Sequence, residues 1–431
     1  MSSLAANEHD SVLHHGHQSY EHLLRESNVR FTGGQGLFTT FLLLAVAGIG
    51  ATIGGAFAAD GGKLHVLASF QVAAAGCLAI CLGGMFLTLV MHLMAAGWSV
   101  TLRRQMENMA MLTPVMLVVA SIVPLYDLFV SHGLLYTWMN PAYKSNLVLQ
   151  EKQAFLNPMF FCVRLAIYFV LWSILAGMLN SLSLRQDRTG DKWLTNKARF
   201  NSAWGMLVFA LSTAFASFDL LMSIDFRMFS TMWGVYYFAS AAFSGIATVV
   251  LIAALLRRAG KLEGLVNPEH FHDAGKLMFA FTVFWSYIAF SQYFLIWYSN
   301  VPEETAWFLV RQHKGWQWVF YLLCFGHFFA PFLILLFRGV KRSPNLLILV
   351  ALWMLFIHFT DMFFIIRPMV TTRPDGPVGL GPLSGFWIDI AAVLGVSGLL
   401  GALLLWRIRS VPLIPLRDPR LPEAIEHKNY V

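Results

Sequence analysis

Ten long apolar runs, separated by polar segments, dominate the pattern of hydrophobic and polar residues along the chain. Each run contains about 20 residues, the length that an α-helix needs to cross the hydrocarbon core of a bilayer. In lipid a helix satisfies its own backbone hydrogen bonds, and no run shows the alternation typical of a strand. The pattern therefore predicts an all-α polytopic membrane protein. We place its ten transmembrane helices at residues 37–59, 66–91, 111–130, 157–182, 202–224, 229–256, 277–299, 316–337, 346–366 and 386–406.

A loose internal parallel divides these helices into blocks. Asp219 is followed by Arg227 at the end of the fifth helix, and Asp361 is followed by Arg367 at the end of the ninth. Four helices restore the starting orientation, so such a repeat is parallel rather than inverted. The predicted units begin with a polar His-rich arm (1–36) and a flanking helix (37–65). Two four-helix bundles (66–225 and 226–367) follow. An outer loop with a second flanking helix (368–407) and a tail (408–431) complete the chain.

Composition and charge agree with a membrane location and predict an orientation. Of the 431 residues, 57% are hydrophobic and 12% are charged, whereas about 25% are charged in soluble domains. The net charge of +7 comes mostly from bases between apolar runs, so it does not indicate a nucleic-acid partner. Most Lys and Arg residues lie in the arm, the tail and alternate loops, which predicts that both termini are cytoplasmic.

Three ionisable residues of the first bundle are predicted to lie at one depth near the outer membrane surface. Asp127 and Asp219 lie near the outer ends of the third and fifth helices, and Arg164 lies near the start of the fourth. Charged groups in a membrane are costly and are functional candidates by default. Two interpretations stay open. The group is a site that binds a quinol or accepts its proton, or it is a structural ion pair with Arg164 snorkelling to the interface.

Two polar residues of the seventh helix are further candidates. Gln292 and Tyr293 occupy the middle-to-outer part of this helix, and both side chains can hydrogen-bond a carbonyl or hydroxyl group on a small ring. The alternative is that Gln292 bonds a neighbouring helix, as polar residues in membrane bundles commonly do.

A second set of titratable residues is a candidate proton path. His358 and Asp361 are three residues apart and share a helix face. His327 precedes Pro331 by four residues, so the proline disrupts the helical hydrogen bond to the carbonyl of His327. His92 ends the second helix on the cytoplasmic side. Chains of His and carboxylate side chains carry protons in other membrane proteins, but each His alternatively bonds only a neighbouring helix.

The cysteines show no ligand pattern for a redox centre. None of the four forms a CxxC pair or a CxxCH haem-attachment motif; they are Cys77, Cys81, Cys162 and Cys324. We therefore expect this chain to bind no metal, iron–sulfur cluster or c-type haem.

Several stretches resemble a known family. They read FDLLMSID (218–225), FSTMWGVYYF (229–238), SQYFLIWYSNVPEET (291–305) and HFFAPF (327–332). This pattern resembles ActF, the smaller of the two large membrane subunits of alternative complex III. That subunit is itself similar to the NrfD and polysulfide reductase membrane anchors. The resemblance covers about residues 30 to 410.

The resemblance implies a function that the residues alone do not establish. Alternative complex III is a bacterial quinol:cytochrome c or quinol:acceptor oxidoreductase of the cytoplasmic membrane. Two four-helix bundles with an additional helix at each end are implied, with no redox cofactor in this chain. The implied partners are a larger NrfD-like membrane subunit, an iron–sulfur subunit, c-type cytochrome subunits, small membrane subunits and lipid, with a terminal oxidase as a further electron acceptor.

The contribution expected of this chain is limited. The larger membrane subunit is the better candidate for the quinol site, so this chain is expected to supply scaffold, a quinol contact and a proton half-channel, and not to be catalytic alone. Two alternatives are a secondary transporter and a membrane cytochrome whose b-haems are ligated by His92, His327 and His358.

Overall fold

The computed structural model describes residues 20–58, 62–370 and 381–429. Ten helices are long and apolar enough to cross a membrane, and the described residues form no β-strand. The spans are α1 (Gln35–Ala58), α2 (Gly62–Leu93), α3 (Gly97–Ser131), α4 (Pro158–Thr189), α5 (Trp193–Ile224), α6 (Trp233–Arg258), α7 (Pro268–Ser299), α8 (Trp316–Leu336), α9 (Pro344–Val370) and α10 (Phe386–Ser410). The predicted all-α polytopic fold is confirmed. Residues 1–19 of the predicted arm and 371–380 of the predicted outer loop lie outside the described residues.

Because ten spans bring the chain back to the side on which it started, α1 begins and α10 ends on the same side. We call this the termini side and the other the opposite side. Short helices occupy the connections, at Glu21–Leu24, Glu26–Val29, Thr137–Met139, Pro141–Tyr143, Leu147–Glu151, Pro302–Val310, Arg338–Arg342 and Leu421–Ile425.

The third span is longer than predicted. It begins at Gly97 rather than residue 111, and its first long piece, Val100–Ala110, is buried throughout. This piece carries Arg103, Arg104 and Glu107, and its charges made it resemble a loop. Their charges are neutralised by ion pairs within the protein, which lowers the cost of burying them. The helix therefore continues where hydropathy alone would end it.

The two most buried spans, α2 and α6, cross at the centre of the molecule. They meet at Gly83 and Gly245, where a Cβ atom on Gly83 would lie 2.0 Å from the carbonyl oxygen of Ala241. Small residues let membrane helices approach this closely. These are the first helices of the two predicted bundles, so the crossing joins one bundle to the other.

The flanking helices α1 and α10 pack against each other. A Cβ atom on Gly48 of α1 would lie 2.5 Å from the backbone nitrogen of Gly395 in α10. The helices that open and close the membrane part of the chain therefore form one pair.

The residues that follow α10 fold back across the termini side as an ordered tail (411–429). The backbone N–H of Leu413 donates to the carbonyl of Val29 at 2.7 Å, and Gln105 of α3 donates to the carbonyl of Leu413 at 2.9 Å. Further along, the ring of His427 pairs with Asp273 of α7 at 2.5 Å. The tail thus contacts helices of both predicted bundles.

Candidate functional site

A cavity of about 520 Å³ lies in the second predicted bundle, among α6, α7, α8 and α9. We call it the aromatic cavity, because aromatic rings form most of its wall; its lining includes Trp233, Tyr236, Trp285, Tyr287, Phe290, Gln292, Tyr293, Trp307, Phe308, Phe320, Phe328 and Phe364. Gln292 and Tyr293, the two candidates of the seventh helix, therefore lie at this cavity.

A carboxylate lies directly behind the wall of the aromatic cavity. Asp361 of α9 is fully buried, and its Oδ1 accepts a hydrogen bond from the hydroxyl of Tyr236 in α6. Its Oδ2 accepts from the indole N–H of Trp285 in α7 at 3.2 Å. Both donors line the cavity. A ligand in the cavity thus meets Tyr236 and Trp285 directly and reaches Asp361 through them.

His358 continues this polar path towards α2. Its Nε2 lies 3.1 Å from the carbonyl oxygen of Gly76, and its Nδ1 lies 2.8 Å from the hydroxyl of Ser240. A carbonyl can only accept, so Nε2 carries the hydrogen, and in a neutral ring Nδ1 then accepts from Ser240. The same hydroxyl lies 3.4 Å from Asp361 Oδ2. A protonated Asp361 can therefore donate to Ser240 while Ser240 donates to His358.

His327 lies beside this path and has different surroundings. Pro331 has no N–H to offer the carbonyl of His327, and α8 forms a π-helical stretch, Leu323–Phe329, at this point. The imidazole stacks on Trp285 with centroids 3.5 Å apart and on Phe243 at 4.2 Å. Among the described residues neither ring nitrogen has a hydrogen-bond partner. His327 thus packs the cavity wall and does not join the hydrogen-bonded path of Asp361 and His358.

A buried arginine lies behind two wall residues of the aromatic cavity, Trp307 and Phe364. The guanidinium of Arg311 donates to the carbonyls of Phe364, Trp307 and Ile365 at 2.8, 2.7 and 2.5 Å, and it lies 3.3 Å from the ring centroid of Trp307. Burial lowers the pKa of Arg311 well below its usual range. No carboxylate of the described residues lies within ion-pair distance of it. Arg311 therefore caps the carbonyl groups at the end of α9.

The first predicted bundle holds a buried ion pair. Arg164 of α4 donates from Nε and Nη2 to the two carboxylate oxygens of Asp219 in α5, at 2.8 and 2.6 Å. Tyr168 donates to the same carboxylate at 2.7 Å. The guanidinium also donates to the carbonyl of Phe155 and stacks on the rings of Phe155 and Phe160, at 3.8 and 4.3 Å. All these groups satisfy one another, which favours the structural interpretation.

Asp127 does not join this ion pair. It lies in the π-helical turn that ends α3, Asp127–Ser131. Its carboxylate accepts from the hydroxyl of Ser131 and from the backbone N–H groups of Leu134, Leu135 and Tyr136, at 2.6–2.8 Å. Tyr136 connects the two places, because its hydroxyl donates to the carbonyl of Leu220, next to Asp219. Asp127 therefore organises the loop that follows α3.

A buried charge network on the termini side is absent from the sequence-based predictions. Arg103 pairs with Glu107 and with Asp418 of the tail, and Arg104 pairs with Glu107 and with Asp187 of α4. The sequence offered one indication, since Arg103 and Glu107 are four apart on a helix. The predicted proton-path residue His92 lies in this region, buried, with no hydrogen-bond partner among the described residues for either ring nitrogen. It lies apart from His358 and Asp361.

A second missed network closes the opposite side. Asp389 of α10 accepts from Ser69 of α2 at 2.6 Å and from Arg367 of α9 at 3.3 Å, and His65 lies 3.5 Å from the same carboxylate. Through these contacts the network joins α2, α9 and α10, and the charge of Asp389 is balanced by that of Arg367. Asp389 lies inside an apolar run, and this was the signal that could have identified it.

Comparison with known proteins does not indicate a function for this chain. No protein-family model matches the chain, and no curated protein is significantly similar to it. Among the described residues, no group of three or more His, Cys, Asp or Glu side chains is placed to hold a metal ion.

Proposed function

We propose that this chain is a membrane subunit of a quinol-oxidising respiratory complex and that its aromatic cavity contacts the quinol ring. One observation carries the proposal: the hydroxyl of Tyr236 lines the cavity and is hydrogen-bonded to the buried carboxylate of Asp361. Aromatic walls suit a flat ring, because rings stack favourably at their edges and faces. A few convergent polar groups in an apolar pocket are typical of a small-molecule site.

The chemistry follows from the order of the polar groups. A ring hydroxyl beside Tyr236 gives its proton to the phenol oxygen as the phenol gives its own proton to Asp361. General-base assistance of this kind contributes about 10²–10⁴-fold to rate. Ser240 and His358 then carry the proton away from the cavity. This path contains two of the four predicted proton-path residues, His358 and Asp361, and adds Tyr236 and Ser240, whereas His92 and His327 do not join it.

The electrons need an acceptor outside this chain. We assign that role to partner subunits: an iron–sulfur protein and c-type cytochromes beside a larger NrfD-like membrane subunit and small membrane subunits, with cytochrome c or a terminal oxidase receiving the electrons. We assign the chain to a bacterial cytoplasmic membrane, and the bases in the arm, tail and alternate loops support an orientation with both termini inside. Asp361 and Tyr236 lie in the halves of α9 and α6 nearer the opposite side, which places the quinol contact in the outer half of the membrane. Ser240 and His358 lie about one turn deeper, so the path leads from the cavity towards the middle of the membrane.

The geometry gives less support to the two alternatives. A b-haem needs free His nitrogens on facing helices, but both nitrogens of His358 are engaged and His327 is stacked between two rings. A transporter built from repeats needs helix interruptions at matching places. Here the π-helical turns lie in α3 and α8, the second helix of one block and the third of the other.

Two measurements test the proposal. A tagged chain should co-purify with an iron–sulfur protein and a multihaem cytochrome. In that complex, Tyr236→Phe and Asp361→Asn should each lower quinol oxidation by about tenfold or more. Tyr321→Phe, which alters an exposed tyrosine of α8 away from the cavity, should not. Unchanged rates in the Tyr236 and Asp361 variants would remove the cavity from the reaction, and a chain that moves a solute without redox partners would overturn the function.

A further inference from the structure

A second cavity, of about 890 Å³, lies among α8, α9 and α10 towards the opposite side. We call it the lateral cleft. Apolar side chains of all three helices line it, among them Phe356, Ile390 and Leu394. These three are 52%, 47% and 47% exposed, and they lie within membrane-spanning segments. The cleft is therefore open to the hydrocarbon core of the bilayer.

Two polar side chains that line the lateral cleft are engaged with the protein. The hydroxyl of Thr360 donates to the carbonyl of Phe356 within α9, at 3.0 Å. The carboxylate of Asp389 is held by Ser69 on one oxygen and by Arg367 on the other. A ring that needs hydrogen bonds at both ends would leave its own polar groups unpaired against apolar walls, which is costly. The cleft thus suits a ligand whose body is a hydrocarbon chain.

One charge lies free at the end of the cleft. Lys314, in the turn before α8, lines the cleft and is exposed. No carboxylate of the described residues lies within ion-pair distance of its ammonium group. The turn lies where a span meets the opposite surface, the depth of the phosphate groups of a bilayer. An anionic group joined to a hydrocarbon chain matches both the charge and the walls.

We propose that the lateral cleft binds an anionic phospholipid, with an acyl chain along the apolar walls and the phosphate at Lys314. Filling the cleft in this way covers half-exposed aromatic surface of α9 and α10 and holds α8 against them. This site is separate from the aromatic cavity and does not depend on quinol chemistry.

The chain-binding part is tested by blocking the cleft. The full-length chain is purified in mild detergent, washed, and its retained phospholipid is extracted and quantified by mass spectrometry. Ile390→Trp, which places an indole in the cleft, should lower retained phosphatidylglycerol by about tenfold, the change that follows from losing about 1.4 kcal/mol of binding. Val46→Trp, on the exposed face of α1, should retain the wild-type amount. Equal retention in the two variants would overturn the proposal.

The headgroup part is tested by charge. In mixed micelles of phosphatidylglycerol and phosphatidylcholine, the wild type and Lys144→Glu, an exposed lysine of another loop, should be enriched in phosphatidylglycerol. Lys314→Glu should lose this enrichment. Lys314 is exposed, so its replacement does not threaten folding. Enrichment that survives in Lys314→Glu, or recovery of a quinone in place of phospholipid, would refute the assignment of the site.

Discussion

The ion pair between Arg164 and Asp219 allows a stringent test of the structural interpretation. Three variants are compared: Arg164→Met, Asp219→Leu and the double variant that carries both substitutions. In each single variant, one charged group stays buried between α4 and α5 without its partner. Both variants replace a polar side chain with an apolar one of similar size, and the double variant leaves no charge behind.

The magnitudes follow from the contacts. Breaking a buried ion pair from one side costs about 3–5 kcal/mol, because the remaining charge is uncompensated. Replacing both partners by apolar residues is often neutral, but here Tyr168 loses its acceptor and the carbonyl of Phe155 loses its donor. An unpaired buried polar group costs about 1–3 kcal/mol. Each single variant loses one of these bonds in addition to leaving a charge unpaired, so we expect the double variant to lose clearly less stability than the sum of the two single variants.

The assay is equilibrium unfolding in mixed micelles, followed by tryptophan fluorescence. The coupling energy of the cycle should be at least about 2 kcal/mol, within the range seen for residues of one hydrogen-bonded network. A double variant whose loss equals the sum of the two single losses would refute the reasoning. Quinol oxidation in the purified complex provides a second readout, because a structural pair predicts that the surviving folded double variant keeps its rate.

Two further outcomes concern the helix crossing and the tail. Gly83→Ala should destabilise the protein by about 1–3 kcal/mol through overpacking, because the new Cβ meets the carbonyl of Ala241. The control Gly50→Ala, with no atom within 4 Å of its Cβ, should leave stability unchanged. Equal melting temperatures for the two variants would contradict this prediction. Burial alone would raise the pKa of Asp418, but the Arg103 guanidinium outweighs it and holds the pKa below its ordinary 3.8. The stability from this pair is therefore present at neutral pH and is lost as pH falls below about 3.8. Pepsin should cut the tail there, at a rate measured relative to its cutting of an unfolded substrate at the same pH. In Asp418→Asn this relative rate should no longer depend on pH in this window.

Much of the fold could be predicted from the sequence. Hydropathy measures the free energy of transferring side chains from water to an apolar phase, and the same free energy decides which segments span the membrane. All ten helices were located, and α8 and α10 begin at the predicted residues. The largest discrepancy was α3, where charged residues hid fourteen helical positions. Their burial depends on partners such as Asp187 and Asp418, which lie far along the chain. Local pattern holds no information about such partners.

The candidate site was predicted in its parts but not in its grouping. A structural ion pair of Arg164 was one of the two interpretations left open for Asp127, Arg164 and Asp219, and the cavity residues Gln292 and Tyr293 were named as ligand candidates. The sequence grouped Asp127, Arg164 and Asp219 by depth, whereas in the structure Asp127 does not join the ion pair of Arg164 and Asp219. Depth fixes only the position along the membrane normal, and rotation about each helix decides which residues meet.

Tyr236 was missed for a related reason. A tyrosine in an aromatic run resembles ordinary packing, and only its hydrogen bond to Asp361 distinguishes it. That bond joins residues 125 positions apart. The sequence also could not show that His92 lies apart from His358 and Asp361, because the positions of histidines along the chain do not reveal which of them are hydrogen-bonded to one another.

The ordered tail has a consequence for how the protein is made. Arg103 enters the translocation machinery long before Asp418, its partner 315 residues later, has been synthesised. At about 5–20 residues per second, the ribosome needs about 15–60 s to close this gap. During that interval Arg103 has Glu107 of the same helix as a partner, and Glu107 also pairs with Arg104, so α3 gains its full set of ion pairs only after Asp418 has been synthesised. A nascent chain that stops short of its last twenty residues would leave this set incomplete and would be exposed to membrane proteases.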